Sequence, residues 1–359
     1  MFAAVFLALA LVPAPARPQA PQSAPSGAAP QPSPSAPVPP QSAPPIVVRT
    51  PIVIVPVTVK DGKGQLVGGL GQGDFRVLAD NVEQKIAAFS SDPVPLSAVI
   101  LLDNDLDQRV VSRVQKSLTA ISAGFGPNDE TALIVYDALP QTISGFSNNN
   151  DALFTTLGRF EIGSHDLTVY TNPEFAPSGP PPGWVAPGGS KRDYVAPKFK
   201  TTVALRDAIF AAGEMLRTRD RDRRKIIFLV SDEADSDNNA HGIEETRRSL
   251  LISDISLFSI SVGHPVPVGK KLLQRSKLMV EQLASDTGGD SYLAGNQIDL
   301  ERLYSAVAEQ ARNQYTLTFS PQEVAKGQDF HPLEVRVERP GLSVETRDGY
   351  YESAITPGR

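Results

Sequence analysis

The sequence predicts a doubly wound α/β domain with a mostly parallel sheet, inserted between the N- and C-terminal segments of a small antiparallel β domain. Three observations predict it. Val99 to Leu102 and Lys225 to Ser231 are near-continuous apolar runs, the pattern of strands buried on both faces of a parallel sheet. From 94 to 312, strand-like and helix-like patterns alternate, which implies βαβ units with helices on both faces. On either side, Ile46 to Ser91 and Tyr315 to Thr346 read as pure β, and pairing of the two ends is the economical solution.

A chain of 359 residues with 41% hydrophobic content can build two modest domains with a sizeable core. A net charge of -6 argues against a nucleic-acid or anionic-membrane surface. The absence of cysteine excludes disulfides, thiolate zinc sites, thiol catalysis and the acceptor of a bacterial lipid anchor.

Residues 1–20 read as an export signal: Phe2 to Val12 is apolar, and small residues follow in Pro13 to Ala16 and Pro18 to Ala20. No Lys or Arg precedes the apolar run, which is too short to span a membrane. A buried N-terminal helix is the alternative, but the next stretch offers nothing to bury it against. Residues 21–45, mostly Pro, Ala, Ser and Gln, cannot offset their ordering entropy by burial and read as a semi-extended tether. The expected location is therefore periplasmic or extracellular, with no membrane span in the mature chain.

Residues 46–93 form the first β segment. Ile46 to Val59 is β-branched almost throughout, and Pro51 and Pro56 suggest an edge or a bulge. Asp61-Gly-Lys-Gly64 is a turn, and Asp74 to Leu78 and Lys85 to Phe89 are short strands. Within 94–312, Val110, Val111, Val114, Leu118 and Ile121 make one apolar stripe of a helix that Gly124 and Gly126 stop. Thr131 to Tyr136 is the next strand, Gln141 to Phe146 an edge strand, and Asn149 or Asn150 caps a helix through Arg159. Leu205 to Leu216, Gly242 to Leu251, Leu272 to Ser285 and Leu300 to Arg312 are helical; Ile255 to Val262 and Ser291 to Leu293 are strands. Residues 313–353 hold the closing strands, with Arg339-Pro-Gly341 as a tight turn.

Gly163 to Lys200 interrupts this rhythm with a Pro/Gly-rich loop carrying Tyr170, Trp184 and Tyr194. Such a loop is either a surface insertion or part of a recognition surface.

Three acids, Asp103, Asp105 and Asp107, crowd just beyond the first apolar run, where open α/β sheets place their ligand sites. Asp232 follows the second run. A loop there could bring these oxygens to one hard cation.

The order of elements resembles the von Willebrand factor A-related domain proteins of the Acidobacteria type over roughly Ile46 to Tyr351. The stretches that carry it are Pro56 to Val67 with Gly71 to Val77, Leu283-Ala-Ser-Asp-Thr-Gly-Gly-Asp-Ser-Tyr292, Asn313 to Pro321, Arg339 to Val344 and Asp348 to Tyr351. The resemblance implies a metal-ion-dependent adhesion site built from DxSxS, a Thr from a middle loop and an Asp after the fourth strand, with one coordination position left for a partner's carboxylate. Here Asp103-Asn-Asp-Leu-Asp107 has Asp for both serines, Val203 falls where the Thr is expected with Thr202 or Thr201 beside it, and Asp232 matches. Glu233 follows where a glycine is usual.

The implied ligand set is Asp103, Asp105, Asp107, Thr202 and Asp232. Four carboxylates leave the site negative, which favours Ca²⁺ over Mg²⁺ and disfavours an acidic partner group. A site without metal, with Asp103 hydrogen-bonded to neighbouring backbone, is the alternative. The EF-hand pattern fits neither acidic run, because Gln108 stands where the loop needs glycine.

His165, His241, His264 and His331 lie at no metal spacing, and there is no nucleophile elbow or phosphate loop. Arg217 to Lys225 reads as a solvated helix end plus loop rather than an anion site. The expected function is non-enzymatic binding of an unidentified protein, with Tyr170, Trp184 and Tyr194 at the rim. The alternative is an envelope assembly protein whose β edges pair with a partner. A metal-assisted hydrolase lacks a general base beside the acids.

Overall fold

A computed structural model describes residues 52–165, 203–236, 238–263, 270–322 and 328–352. The export-signal and tether expectations lie outside these residues, as do Tyr170, Trp184, Tyr194, Thr201 and Thr202.

Strand β1 (Val53–Lys60) turns Val53, Val55, Val57 and Val59 inward, as period-two alternation requires. The turn after it closes as its residues predict: Asp61 Oδ1 accepts from the backbone N–H of Lys63 and Gln65, and Gly64 takes φ +77°. β2 (Phe75–Ala79) and β3 (Val82–Gln84) form a hairpin through Asp80 and Asn81, both at positive φ, and β4 (Ile86–Ser90) follows.

β5 (Leu96–Asp103) is buried at every position, and the short β6 (Leu106–Asp107) leads into α1 (Gln108–Ser117). The predicted apolar stripe continues to Ile121, but its last turns tighten to 3₁₀ geometry over Leu118–Gly124. Then come β7 (Glu130–Tyr136), the edge strand β8 (Pro140–Ser147), α2 (Asn150–Arg159) capped by the Asn149 side chain, and β9 (Ser164–His165). α3 (Leu205–Arg217), β10 (Arg224–Ser231), α4 (Ile243–Ile252), β11 (Ile255–Ser261), α5 (Lys270–Asp286), β12 (Asp290–Leu293) and α6 (Gln297–Arg312) complete the alternation. The chain closes through β13 (Tyr315–Phe319), β14 (Phe330–Val337), β15 (Ser343–Thr346) and β16 (Gly349–Tyr351). β16 falls in the Asp348 to Tyr351 stretch of the expected closing β segment.

The central sheet has the order β12-β11-β10-β5-β7-β8, parallel except for β8. Numbering its strands from β5, this is the doubly wound order 3-2-1-4-5-6 read from the β8 edge. Alternate residues of β5 enter opposite cores. Ala98, Ile100 and Leu102 pack with α1, α2 and α6, while Val99 and Leu101 pack with α3, α4 and α5.

The N- and C-terminal strands interleave in two antiparallel sheets, β15-β1-β13-β4 and β16-β14-β2-β3, around a single core holding Val55, Phe75, Leu317 and Tyr350. The expected pairing of the two ends is thus observed. The edge position suggested by Pro56 is not: β1 lies inside its sheet, where β13 pairs Val53 to Val57 and β15 pairs Val57 to Lys60. Pro56 precedes the first residue paired to β15, so its missing N–H removes no bond on that side.

Arg217 to Lys225 also departs from expectation, because Arg224 and Lys225 are buried at the start of β10. The Arg224 guanidinium donates to the carbonyls of Ala311 and Gln314, to Gln314 Oε1 and to Thr316 Oγ1, tying the sheet to β13.

The Thr287-Gly-Gly289 stretch has a packing reason. Gly288 takes φ +73°, and a Cβ on Gly289 would lie 1.8 Å from the Leu257 carbonyl oxygen. Backbone cannot give way there, so Gly289→Ala is expected to lower stability by about 3 kcal/mol in urea unfolding. Gly62→Ala, which meets nothing within 4 Å, should stay within about 0.5 kcal/mol. Equal effects at the two positions would contradict the packing account.

Candidate functional site

The strand order reverses between β5 and β10, and the crevice beyond their C-terminal ends is where such sheets take ligands. Asp103 ends β5, and Asp232 follows β10. Further side chains and two glycines shape the floor beneath them.

Asp103 is 1% exposed. Its Oδ1 accepts from the Asp105 N–H at 3.0 Å, and its Oδ2 accepts from Ser231 Oγ at 2.8 Å. The Tyr136 hydroxyl lies 3.2 Å from the same Oδ2 and 2.8 Å from Ser231 Oγ. Tyr136 stands beside Asp103 in the parallel register of β5 and β7. Burial, then the charge of Asp232, pushes the Asp103 carboxyl up to about 8. The Tyr136 hydroxyl is held far above its ordinary value, chiefly by burial.

Asp107 is 5% exposed and caps α1, its Oδ1 accepting from the Arg109 N–H at 2.9 Å. The Arg109 guanidinium also grips both its oxygens through Nε, each at 3.0 Å. The Asp107 N–H donates to Asp232 Oδ2 at 3.3 Å, and Asp232 Oδ1 accepts from the Ala234 N–H at 3.0 Å. Asp105 and Asp232 are half-buried at the top of the cluster. The loop is held from the far side, where the Gly163 N–H donates to Asn104 Oδ1 and a Cβ on Gly163 would lie 2.4 Å from the Asn104 carbonyl.

Glu233, which the resemblance marked only as standing where glycine is usual, has φ +63°, the left-handed region that favours glycine. Its carboxyl is buried; Oε1 accepts from Ser259 Oγ at 2.8 Å and Oε2 has no partner. Burial pushes it up to about 7. Gly263 stands against Asp232, where a Cβ would come within 2.8 Å of the Asp232 Cβ.

The structure therefore brings Asp103, Asp107 and Asp232 together, with Asp105 above them. Tyr136, Ser231, Glu233 and Arg109 were missed by the site reading. A polar residue closing each apolar strand was the available signal for Tyr136 and Ser231.

The donor type suits a hard divalent cation, but the arrangement does not. Both oxygens of Asp103 and of Asp107 are engaged by protein donors. Among the described residues no three acidic or histidine side chains converge as a metal would need. A cation would have to displace Arg109 from Asp107 and take the proton that Asp103 favours. The remaining expected ligand, Thr202, lies outside the described residues.

No protein-family model matches the sequence, and the comparison with curated proteins finds no match. Solved structures are similar in fold. A von Willebrand factor type A protein from Catenulispora acidiphila is 8% identical over 86% of this chain and 75% of its own, with TM-score 0.43. The conserved hypothetical protein BatB from Bacteroides thetaiotaomicron is 14% identical over 60% of this chain and 98% of its own, with TM-score 0.41. Proximal thread matrix protein 1 from the mussel byssus, described with a zinc-occupied MIDAS motif, is 13% identical over 62% of this chain and 49% of its own, with TM-score 0.40.

The raised Asp103 value has a consequence for stability. Between the ordinary carboxylate value of 3.8 and about 8, the folded chain keeps a proton that the unfolded chain releases. Stability from this group is therefore present at low pH and is lost as pH rises through that window. Asp103→Asn, uncharged throughout, should melt above the parent chain at pH 8 and near it at pH 4, read as the difference in Tm. A difference independent of pH would show that Asp103 ionises normally.

Proposed function

We propose that this chain is an exported, non-enzymatic protein-binding module whose recognition surface is the acidic C-terminal end of its parallel sheet. The observation that carries this reading is the meeting of Asp103, Asp107 and Asp232 at the switch point, close enough for the Asp107 N–H to bond Asp232. Concentrated like charge opposes folding, so its position at the crevice where doubly wound sheets bind ligands supports a binding role.

The chemistry of the surface points to the partner. Asp105, Asp137, Asp232 and Asp235 are half-buried around the strand ends. The cations beside them are engaged: Arg109 with Asp107, and Arg206 with Asp235 at 2.8 Å. Among the described residues the strand ends carry more acids than cations, a balance that favours a basic segment of a partner protein over an acidic one. In this reading Arg109 neutralises part of the charge a divalent cation would otherwise neutralise, and partner binding needs neither Ca²⁺ nor Mg²⁺. The aromatic loop with Tyr170, Trp184 and Tyr194, outside the described residues, forms the rim of the surface in the same proposal. Export rests on the apolar run near the N-terminus. Among the described residues no helix is long and apolar enough to cross a membrane.

An oligolysine peptide serves as the probe. It should bind saturably, weaken steeply with salt, and lose at least about tenfold in affinity in the Asp105→Asn/Asp232→Asn double variant. Glu334→Gln, at an exposed acid on β14, should bind as the parent chain does. EDTA and added calcium should change nothing. Binding that requires calcium, or that the double variant leaves intact, contradicts the proposal.

A further inference from the structure

At the other end of the sheet, where β10 and β11 begin, a cavity of about 200 Å³ lies between the α/β part and the β strands. Ile54, Val94, Leu251 and Ile255 contribute apolar walls. Five cations also line it, of which Arg224, Lys225 and Arg347 are exposed by only 7%, 5% and 4%.

These cations are unequally satisfied. Arg224 has four acceptors, all on the β13 side. Arg347 donates to Asp254 Oδ1 at 2.6 Å and to the Ile54 carbonyl, but its buried Nε has no partner. The Lys225 ammonium, with three donors, makes one long bond of 3.3 Å to the Ser253 carbonyl. Burial holds Lys225 below its ordinary ammonium value, although the charges of Asp254 and Asp220 act to raise it. Asp254 is half-buried and already serves Arg347, and Asp222 is exposed at the mouth. A buried donor without an acceptor is costly, and an unpaired buried cation more so.

We propose that this cavity binds a small organic carboxylate, its carboxylate held by Arg347 Nε and the Lys225 ammonium and its short apolar body lying against Ile54, Val94, Leu251 and Ile255. At about 30 Å³ per water-sized group the space suits a body of roughly six such groups. The site lies at the opposite strand ends from the acid cluster, so it does not depend on the proposed recognition surface. Its walls come from β1 and the 347 region on one side and from β10 and β11 on the other. A ligand there bridges the two parts of the fold and stabilises their junction by mass action.

The test is calorimetric titration of the full chain with straight-chain carboxylates from acetate to octanoate at constant ionic strength, with inorganic phosphate alongside. Saturable one-to-one binding is expected, tightening about fourfold per methylene until the cavity is full. Lys225→Met removes the ammonium but keeps its packing and should weaken hexanoate at least about tenfold. Val94→Phe fills the space without touching a charge and should weaken it comparably. Either variant suffices if the other fails to fold. Phosphate binding as tightly as hexanoate would mean attraction to surface arginines only and would overturn the proposal. So would affinity independent of chain length, absence of saturation, or unchanged affinity in a folded variant.

Discussion

The structure depends on the burial of β5 on both faces. Each of its residues from Leu96 to Asp103 is buried, so its backbone must pair on both edges and its side chains need cover above and below. β7 and β10 meet the first requirement, and two sets of helices meet the second. A strand so placed has one outlet for polar chemistry, its end. There Asp103 requires Tyr136 and Ser231 from the two neighbouring strands, and the three strand ends form one hydrogen-bonded floor.

The two ends of the sheet handle their charged groups differently. At the C-terminal end Arg109 grips Asp107, and burial with the charge of Asp232 biases Asp103 toward its neutral form. At the N-terminal end Arg224 is fully tied into the junction with β13, while Lys225 and Arg347 keep donors in reserve. The ionic seam between the parts continues outward through Arg247 to Asp348, Lys60 to Asp290 and Arg248 to Asp329. The insertion is therefore fastened by specific partners as well as by chain continuity.

Much of this was legible in the sequence because burial imposes periodicity. The runs at Val99 and Ile226 could only be central strands, and acids placed after both had to meet once the strands were neighbours. Residues whose roles depend on neighbours in space were not legible. Tyr136 reads as the end of an ordinary strand, and only its register beside Asp103 makes it a hydrogen-bond donor to the acid. Glu233 gives no local sign of a positive φ; Gly263 and Gly289 owe their identity to Asp232 and Leu257 across the sheet. The Arg217 to Lys225 run misled because alternating charge normally marks a solvated face, whereas the chain enters the sheet at Arg224 and takes its last two cations inside.

The central proposal is that the protein's own donors satisfy the acid cluster in place of a cation. Carbon-13 NMR of the aspartate carboxyls, assigned by Asp103→Asn and titrated with and without millimolar calcium, tests it most directly. The account predicts that Asp103 titrates near pH 8 in both conditions. An Asp103 midpoint in the ordinary carboxylate range, or one that calcium drives far down, would contradict it and make the cluster a metal site.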